Sequence, residues 1–361
     1  IGLTGAGKST FICHCTQEAT AQVGHGLHSC TSRVTFHTIG LRGGRKIHLV
    51  DTPGFDDNGR TDFETLQEIA YWLSLAYKHR LCIGGLIYLH RITDVRLQGA
   101  ALRCLTVFKR MCGVENFYGL ILATTRWDDL STASSKEQEL AKERHRELCS
   151  TDEFWGDMVK RKALVVQLDA GTTEPMRIVQ HILNKERRMV LAIQSQLAVE
   201  GRSLHETDAG RFVYKSAESY RNNLQEKIEQ VRNEIYEIIS SSAAGDYSAL
   251  SDLAAQVSTD LASLNSDMAS LRVTSSELQD RWNARIEDDF ESLQNKFATM
   301  ITASQDEEDH VLLASEEEVV EAKRTKIVKK RGKSTLTAFT VISTGLAAGQ
   351  LLAAAVACTV M

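Results

Sequence analysis

Nine residues at the start of the chain, Gly2-Leu3-Thr4-Gly5-Ala6-Gly7-Lys8-Ser9-Thr10, constrain the fold more than any other feature. They satisfy the spacing G-x-x-x-x-G-K-[ST], with Gly5 as an extra glycine inside the loop. Glycines at these positions let successive backbone N–H groups turn inward on a phosphate chain without Cβ obstruction. Lys8 then reaches the β and γ oxygens, and the Ser9 hydroxyl is a ligand for Mg²⁺. The helix that follows points its positive end at the same anion. Nucleotide contacts are therefore expected from Gly2, Thr4, Gly5, Ala6, Gly7, Lys8, Ser9 and Thr10. Such a loop ordinarily follows a buried strand in the middle of a sheet, and only Ile1 stands before Gly2. The reading expects an apolar strand upstream in the natural protein, and poor folding without it.

Two later segments extend the pattern. Lys46 to Gly54, KIHLVDTPG, reads as an apolar strand ending in Asp-x-x-Gly, which places Asp51 near the Mg²⁺ shell and the Gly54 amide near a γ-phosphate. Asn116 to Leu130, NFYGLILATTRWDDL, reads as an apolar strand running into Thr125-Arg126-Trp127-Asp128, the shape of [N/T]-[K/R]-x-D. Asp128 there accepts the guanine N1–H and N2–H₂ together, a pair of donors that adenine lacks, which favours GTP over ATP. A helix N-cap beside Asp129 is the structural alternative for Asp128. Between the first helix and KIHLVD, Ser29, Thr31, Ser32 and Thr35 offer hydroxyls to Mg²⁺ and the γ-phosphate, and Thr31 is preferred. The expected ligands are thus GTP or GDP with Mg²⁺, the metal held by Ser9, Thr31 and Asp51.

Taken together, GLTGAGKST, SCT, DTPGFDD and TTRWDDL resemble the immunity-associated nucleotide-binding GTPases (GIMAP/IAN), within the septin-like branch of translation-factor-related GTPases. YLHRITDVR, Tyr88 to Arg96, placed after the fourth strand, is most similar to fungal septin-like G-domain proteins. The resemblance covers the first half of the chain. It implies an α/β P-loop NTPase G domain, a mostly parallel sheet with helices on both faces, binding GTP and Mg²⁺ and self-associating under nucleotide control as a homodimer or homo-oligomer. It also implies roles for Thr125, Arg126 and Asp128 at the base and for Thr31, Asp51 and Gly54 at the switches. The loop from Asp169 to Gly171 matches a further guanine contact by position only.

Phe55 follows Gly54 where Ras-type enzymes carry a water-orienting Gln. Unaided hydrolysis is then expected to be slow, since intrinsic Ras-type rates are already on the order of 10⁻⁴ s⁻¹. Arg33, Arg91 and Arg96 are candidates for a charge-stabilising arginine, within the chain or across a pair of G domains.

The remainder is organised differently. Pro53 and Pro175 are the only prolines, so everything after Pro175 is free to be helical. The expected layout is a G domain over 1–185, a connecting helix and hinge over 186–211 with breaks at Gly201 and Gly210, and a helical stalk over 212–334. Two apolar stripes, Tyr214 to Ile238 and Leu250 to Met300, read as an antiparallel hairpin or as a seam for a partner helix. An acidic block over 306–321 gives way to a basic block, Lys323 to Lys333, and then to the uncharged segment Ser334 to Met361. Residues 335–361 are a candidate membrane anchor, with Gly345 and Gly349 spaced for close helix approach, or else an apolar helix packed on the stalk.

A net charge of −5 argues against a general nucleic-acid binder, and eight cysteines without a CxxC pair suit reduced thiols in the cytoplasm. The leading reading is a slow GTPase switch that self-associates when loaded and sits in the cytoplasm or on a membrane through its C-terminal segment. A membrane-tethering scaffold with an inert or permanently loaded G domain is the alternative, and an ATPase a weaker one.

Overall fold

The computed structural model describes residues 1–16, 34–40, 46–56, 61–78, 80–168, 174–240, 248–281 and 284. Its first half is built on a sheet whose central position is filled by the opening residues themselves. β1 (Thr35–Gly40) runs antiparallel to β2 (Lys46–Asp51), while β3 (Leu86–Arg91), β4 (Leu120–Thr125) and β5 (Leu164–Gln167) are parallel. Residues 1–3 join the two groups. Leu3 bridges Phe55, just past β2, and Gly2 bridges Leu89 of β3, both in parallel sense. Backbone bonds from Ile1 N to Ile87 O and from Leu89 N to Ile1 O, each 2.9 Å, complete the seam. The lateral order is therefore β1, β2, residues 1–3, β3, β4, β5, with the phosphate loop leaving from the middle.

Alternation along the strands decides what each face buries, because successive side chains point to opposite sides. Ile121 and Ala123 of β4 and Leu89 of β3 face α1 (Lys8–Thr16) and α6 (Pro175–Asn184), packing with Phe11, Ile12, Ile178 and Val179. Tyr88, Leu120 and Leu122 face the other way, into the larger core shared with α2 (Asp62–Lys78), α3 (Ala100–Cys112) and α4 (Ser135–Ser150). Helices thus cover both faces, as an α/β P-loop NTPase G domain requires. Tyr88 to Arg91 lie inside β3 rather than after it, because Tyr88 and Leu89 are buried on opposite faces of the sheet and the segment continues the ladder with β4. α4 begins at a reciprocal cap between Ser134 and Glu137, and the short α5 (Asp157–Lys160) leads from it into β5.

The segment expected to leave the G domain instead docks on it. α7 (Ala192–Ala198) lies against α2 and α3, with Ile193 and Leu197 fully enclosed and Gln194 Nε2 donating to Leu73 O at 2.8 Å. Gly210, expected at a break, is instead in the first turn of α8 (Asp208–Ser240); a Cβ there would sit 1.9 Å from Leu204 O, so glycine allows the close approach. α8 and α9 (Ser248–Ser270) pair as a hairpin within the chain. Leu224 and Ile228 meet Val257, and the far end of α9 returns to the base of α8, where Arg272 donates to the Tyr214 hydroxyl at 2.8 Å. Among the described residues, no helix is long and apolar enough to cross a membrane. The expected anchor over 335–361, the charge blocks and the stripe beyond residue 284 lie outside the described residues.

Candidate functional site

The phosphate loop holds a shape that only its glycines allow. Gly5 and Gly7 have φ of +77° and +88°, in the left-handed region where a side chain is strained. A Cβ on Gly2 would meet Leu89 O at 2.3 Å, so the loop springs directly off β3. Lys8 Nζ curls back over the loop, donating to Leu3 O at 2.9 Å and Gly2 O at 3.2 Å. Thr10 is exposed on the first turn of α1.

Ser9 Oγ donates to Asp51 Oδ2 at 2.6 Å, which brings the hydroxyl of the first motif onto the carboxylate of the second across 42 residues of sequence. Asp51 is only 3% exposed, at the end of β2 where the strand register sets it opposite Thr35. This oxygen pair suits a hard divalent cation of the Mg²⁺ class. Gly54 closes on the loop from the same side: a Cβ there would lie 2.3 Å from Thr4 Oγ1 and 2.6 Å from Thr4 N. Thr4 N also donates to Phe55 O at 3.2 Å. The Thr4 and Thr52 hydroxyl oxygens are both buried and make no hydrogen bond among the described residues.

The base-reading motif touches the loop through its first residue. Thr125 Oγ1 donates to Ala6 O at 3.1 Å and sits 3.4 Å from His90 O, so a threonine does the bracing for which an amide side chain is the commoner choice. Arg126 has φ of +67°, turning the chain sharply at the end of β4, and its guanidinium pairs with Asp129 at 3.5 Å. Trp127 donates from Nε1 to Thr124 Oγ1 at 2.9 Å, and Asp128 is exposed at the start of a short 3₁₀ turn. The N-cap position of that turn is Trp127, which makes no side-chain cap bond.

The arginine candidates separate. Arg91 lies beside the loop, its Nη1 3.2 Å from where a Gly5 Cβ would be, and is held by Asp94 at 3.0 Å. Arg96 is not at the loop. It is exposed on a groove of about 320 Å³ between the end of β3 and α4, shared with His90, Leu97 and Arg144. His90 on this groove is 3% exposed, and burial lowers its pKa to about 4, with Arg91 adding to the effect and Asp94 opposing it. Thr31 and Arg33 lie outside the described residues, as does the loop at 169–171. Elsewhere, Cys149 Sγ lies 3.9 Å from His145 Nε2, and burial raises the pKa of the thiol and lowers that of the imidazole.

The structure brings the loop, Ser9, Asp51, Gly54 and Thr125 together, and it adds two features that the sequence expectations did not include, the Thr125 to Ala6 brace and the groove around His90. The brace has a sequence signal, a hydroxyl in the first position of the base motif. The groove has none, because the path of residues 92–99 depends on what packs beneath them.

Residues 1–83 match the sequence model of a family described as 50S ribosome-binding GTPase. The sheet order and the loop geometry agree with that match. The first half of the chain has the fold of a P-loop GTPase G domain. The match spans less than a quarter of the 361 residues. No curated protein matches the chain. Among solved structures, Toc33 from Arabidopsis thaliana in complex with GDP and Mg²⁺ is 16% identical, covering 53% of this chain and 84% of that one with a TM-score of 0.41. Toc33 with Mg²⁺ and GMPPNP is 17% identical, covering 53% and 85%, with a TM-score of 0.40. A further structure of the chloroplast translocon components atToc33 and psToc159, for whose GTPase activity dimerisation is described as important, is 16% identical, covering 53% and 83%, with a TM-score of 0.43.

Proposed function

We propose that the chain binds GTP and hydrolyses it slowly, and that the loaded form pairs with a second copy through its nucleotide face. The observation that carries this reading is the convergence of Lys8, the Ser9–Asp51 pair, Gly54 and Thr125 on one loop in the middle of the sheet. A triphosphate would take the Lys8 ammonium in exchange for the two carbonyls it now meets. Mg²⁺, when bound, would be held by the Ser9 hydroxyl and the Asp51 carboxylate and would neutralise phosphate charge.

Guanine is the proposed base because Asp128, exposed three residues beyond the Thr125 contact with the loop, offers two acceptor oxygens to the donor edge that guanine has and adenine lacks. Slow turnover is supported by Phe55, which is 1% exposed in the main core and brings no polar atom to an attacking water. Arg96, exposed beyond the loop, is the residue proposed to reach a second copy, whereas Arg91 acts within its own chain. The motif string supports a GIMAP/IAN-like, septin-like affiliation and the segment after Lys333 supports membrane attachment; both are read from sequence alone.

The test is Lys8→Ala, with nucleotide binding and light-scattering mass measured together. The variant should lose GTP binding and any GTP-dependent dimer. A variant that assembles with GTP as the wild type does would refute the switch.

A further inference from the structure

We propose that the Thr4 hydroxyl reads the terminal phosphate of bound GTP and holds the attacking water, the task that Phe55 cannot perform; this rests on the GTPase reading above.

Phe55 occupies the position after Asp-x-x-Gly from which a polar side chain orients water, but its ring is enclosed with Leu3, Leu66 and Leu122 and cannot return to the cleft without opening the core. The hydrolytic site needs another group at the same seam. Thr4 supplies one. Its Oγ1 is buried, has no hydrogen-bond partner among the described residues, and lies against Gly54. A buried hydroxyl without a partner is an unfavourable arrangement that native structures rarely keep for packing alone. Here the obvious packing residue, valine, has the same shape and none of the cost.

The position of Thr4 is also distinctive. It stands between Leu3, bonded into the sheet, and Gly5, where the loop turns with positive φ, on the side of the loop that meets Gly54 rather than the side that meets Thr125. The other unpartnered hydroxyl of the region, Thr52, is 7% exposed as a whole residue, whereas Thr4 is half-buried at the rim of the loop. Only the missing Cβ of Gly54 lets the two segments approach this closely. A γ-phosphate oxygen and its attacking water entering this seam would lie between two donors, the Gly54 N–H and the Thr4 O–H.

In the reaction the water oxygen forms a bond to the γ-phosphorus as the bond from that phosphorus to the bridging oxygen of GDP breaks. The water proton passes to a phosphate oxygen, giving GDP and inorganic phosphate. Thr4 gains and loses no proton; it orients the water and donates to an equatorial oxygen whose charge it helps to hold.

Thr4→Val and Thr4→Ser separate hydroxyl from shape. For each, affinity for GDP and for the non-hydrolysable analogue GMPPNP is measured with Mg²⁺, together with single-turnover hydrolysis. Thr4→Val should keep GDP affinity within about twofold while losing about tenfold in analogue affinity and at least about tenfold in hydrolysis, the scale of one hydrogen bond to a charged group. Thr4→Ser should restore both to within about threefold of wild type. A Thr4→Val protein with unchanged analogue-to-GDP preference and turnover would overturn the proposal, as would equal losses for both nucleotides in both variants, which would make Thr4 a packing residue. Wild-type protein that takes up no guanine nucleotide would instead sink the GTPase reading, a separate failure visible before any variant is made.

Discussion

The hydroxyl of Thr125, the last residue of β4, donates to the carbonyl of Ala6 at 3.1 Å, tying the strand that leads to the base motif directly to the phosphate loop. The loop's turns at Gly5 and Gly7 sit in strained territory for most residues, so a brace from the neighbouring strand helps define one conformation. Thr125→Val removes the bond and keeps the shape. It should lower stability by about 1–2 kcal/mol, because the Ala6 carbonyl is left without that donor. Nucleotide affinity should fall with it, and chemical denaturation with and without GDP separates the two effects.

Gly54→Ala is expected to be worse than a loss of flexibility. The new Cβ would meet Thr4 Oγ1 at 2.3 Å and the Thr4 backbone at 2.6–2.7 Å, so whole segments must separate rather than one rotamer turn. Overpacking of this kind costs about 1–3 kcal/mol. The expected result is a lower melting temperature and a GTP-analogue affinity reduced more than GDP affinity, read by thermal shift with each nucleotide.

His90 makes the fold acid-sensitive. Its pKa is lowered from 6.5 to about 4, first by burial and further by Arg91, with Asp94 opposing. In this range the unfolded chain binds more protons than the folded one, so stability is complete above about pH 6.5, falls as pH drops toward 4, and levels off below. The loss is at most on the order of 3 kcal/mol. His90→Phe should flatten that part of the profile relative to wild type when urea midpoints are compared between pH 4 and 7.

The helical hairpin is fastened to α2, the helix that follows Asp-x-x-Gly. Gln67 Nε2 donates to Ser270 O at 2.6 Å and Ser270 Oγ at 2.8 Å, and the Ser74 and Ser275 hydroxyls meet at 2.6 Å. Gln67→Ala should destabilise this junction by about 1 kcal/mol. Hydrogen exchange should rise over residues 270–281 while β3 and β4 stay protected.

Much of the site was legible in the sequence because its chemistry is local. Gly5 and Gly7 supply positive φ, Lys8 and Ser9 open a helix, and Asp51 ends a strand, so spacing along the chain carries their geometry. What was not legible depends on the surroundings of a segment. The stripes through Leu224, Ile228 and Val257 give the faces of two helices but not whether the partner is the same chain, and α9 answers that only by returning to Tyr214. Gly210 looked like a break, yet it is a contact glycine pressed on Leu204. Arg91 and Arg96, five residues apart, end at different places because Asp94 turns one toward the loop while the other follows the groove under His90.

The central claim is that one cleft holds a triphosphate and chooses guanine. Competition titration of the wild-type chain and Asp128→Asn with GTP and ATP, both with Mg²⁺, tests it most directly. The account predicts that wild type binds GTP at least about 100-fold more tightly than ATP and that Asp128→Asn loses most of that preference. Equal affinity for the two nucleotides, or no uptake of either, would contradict it.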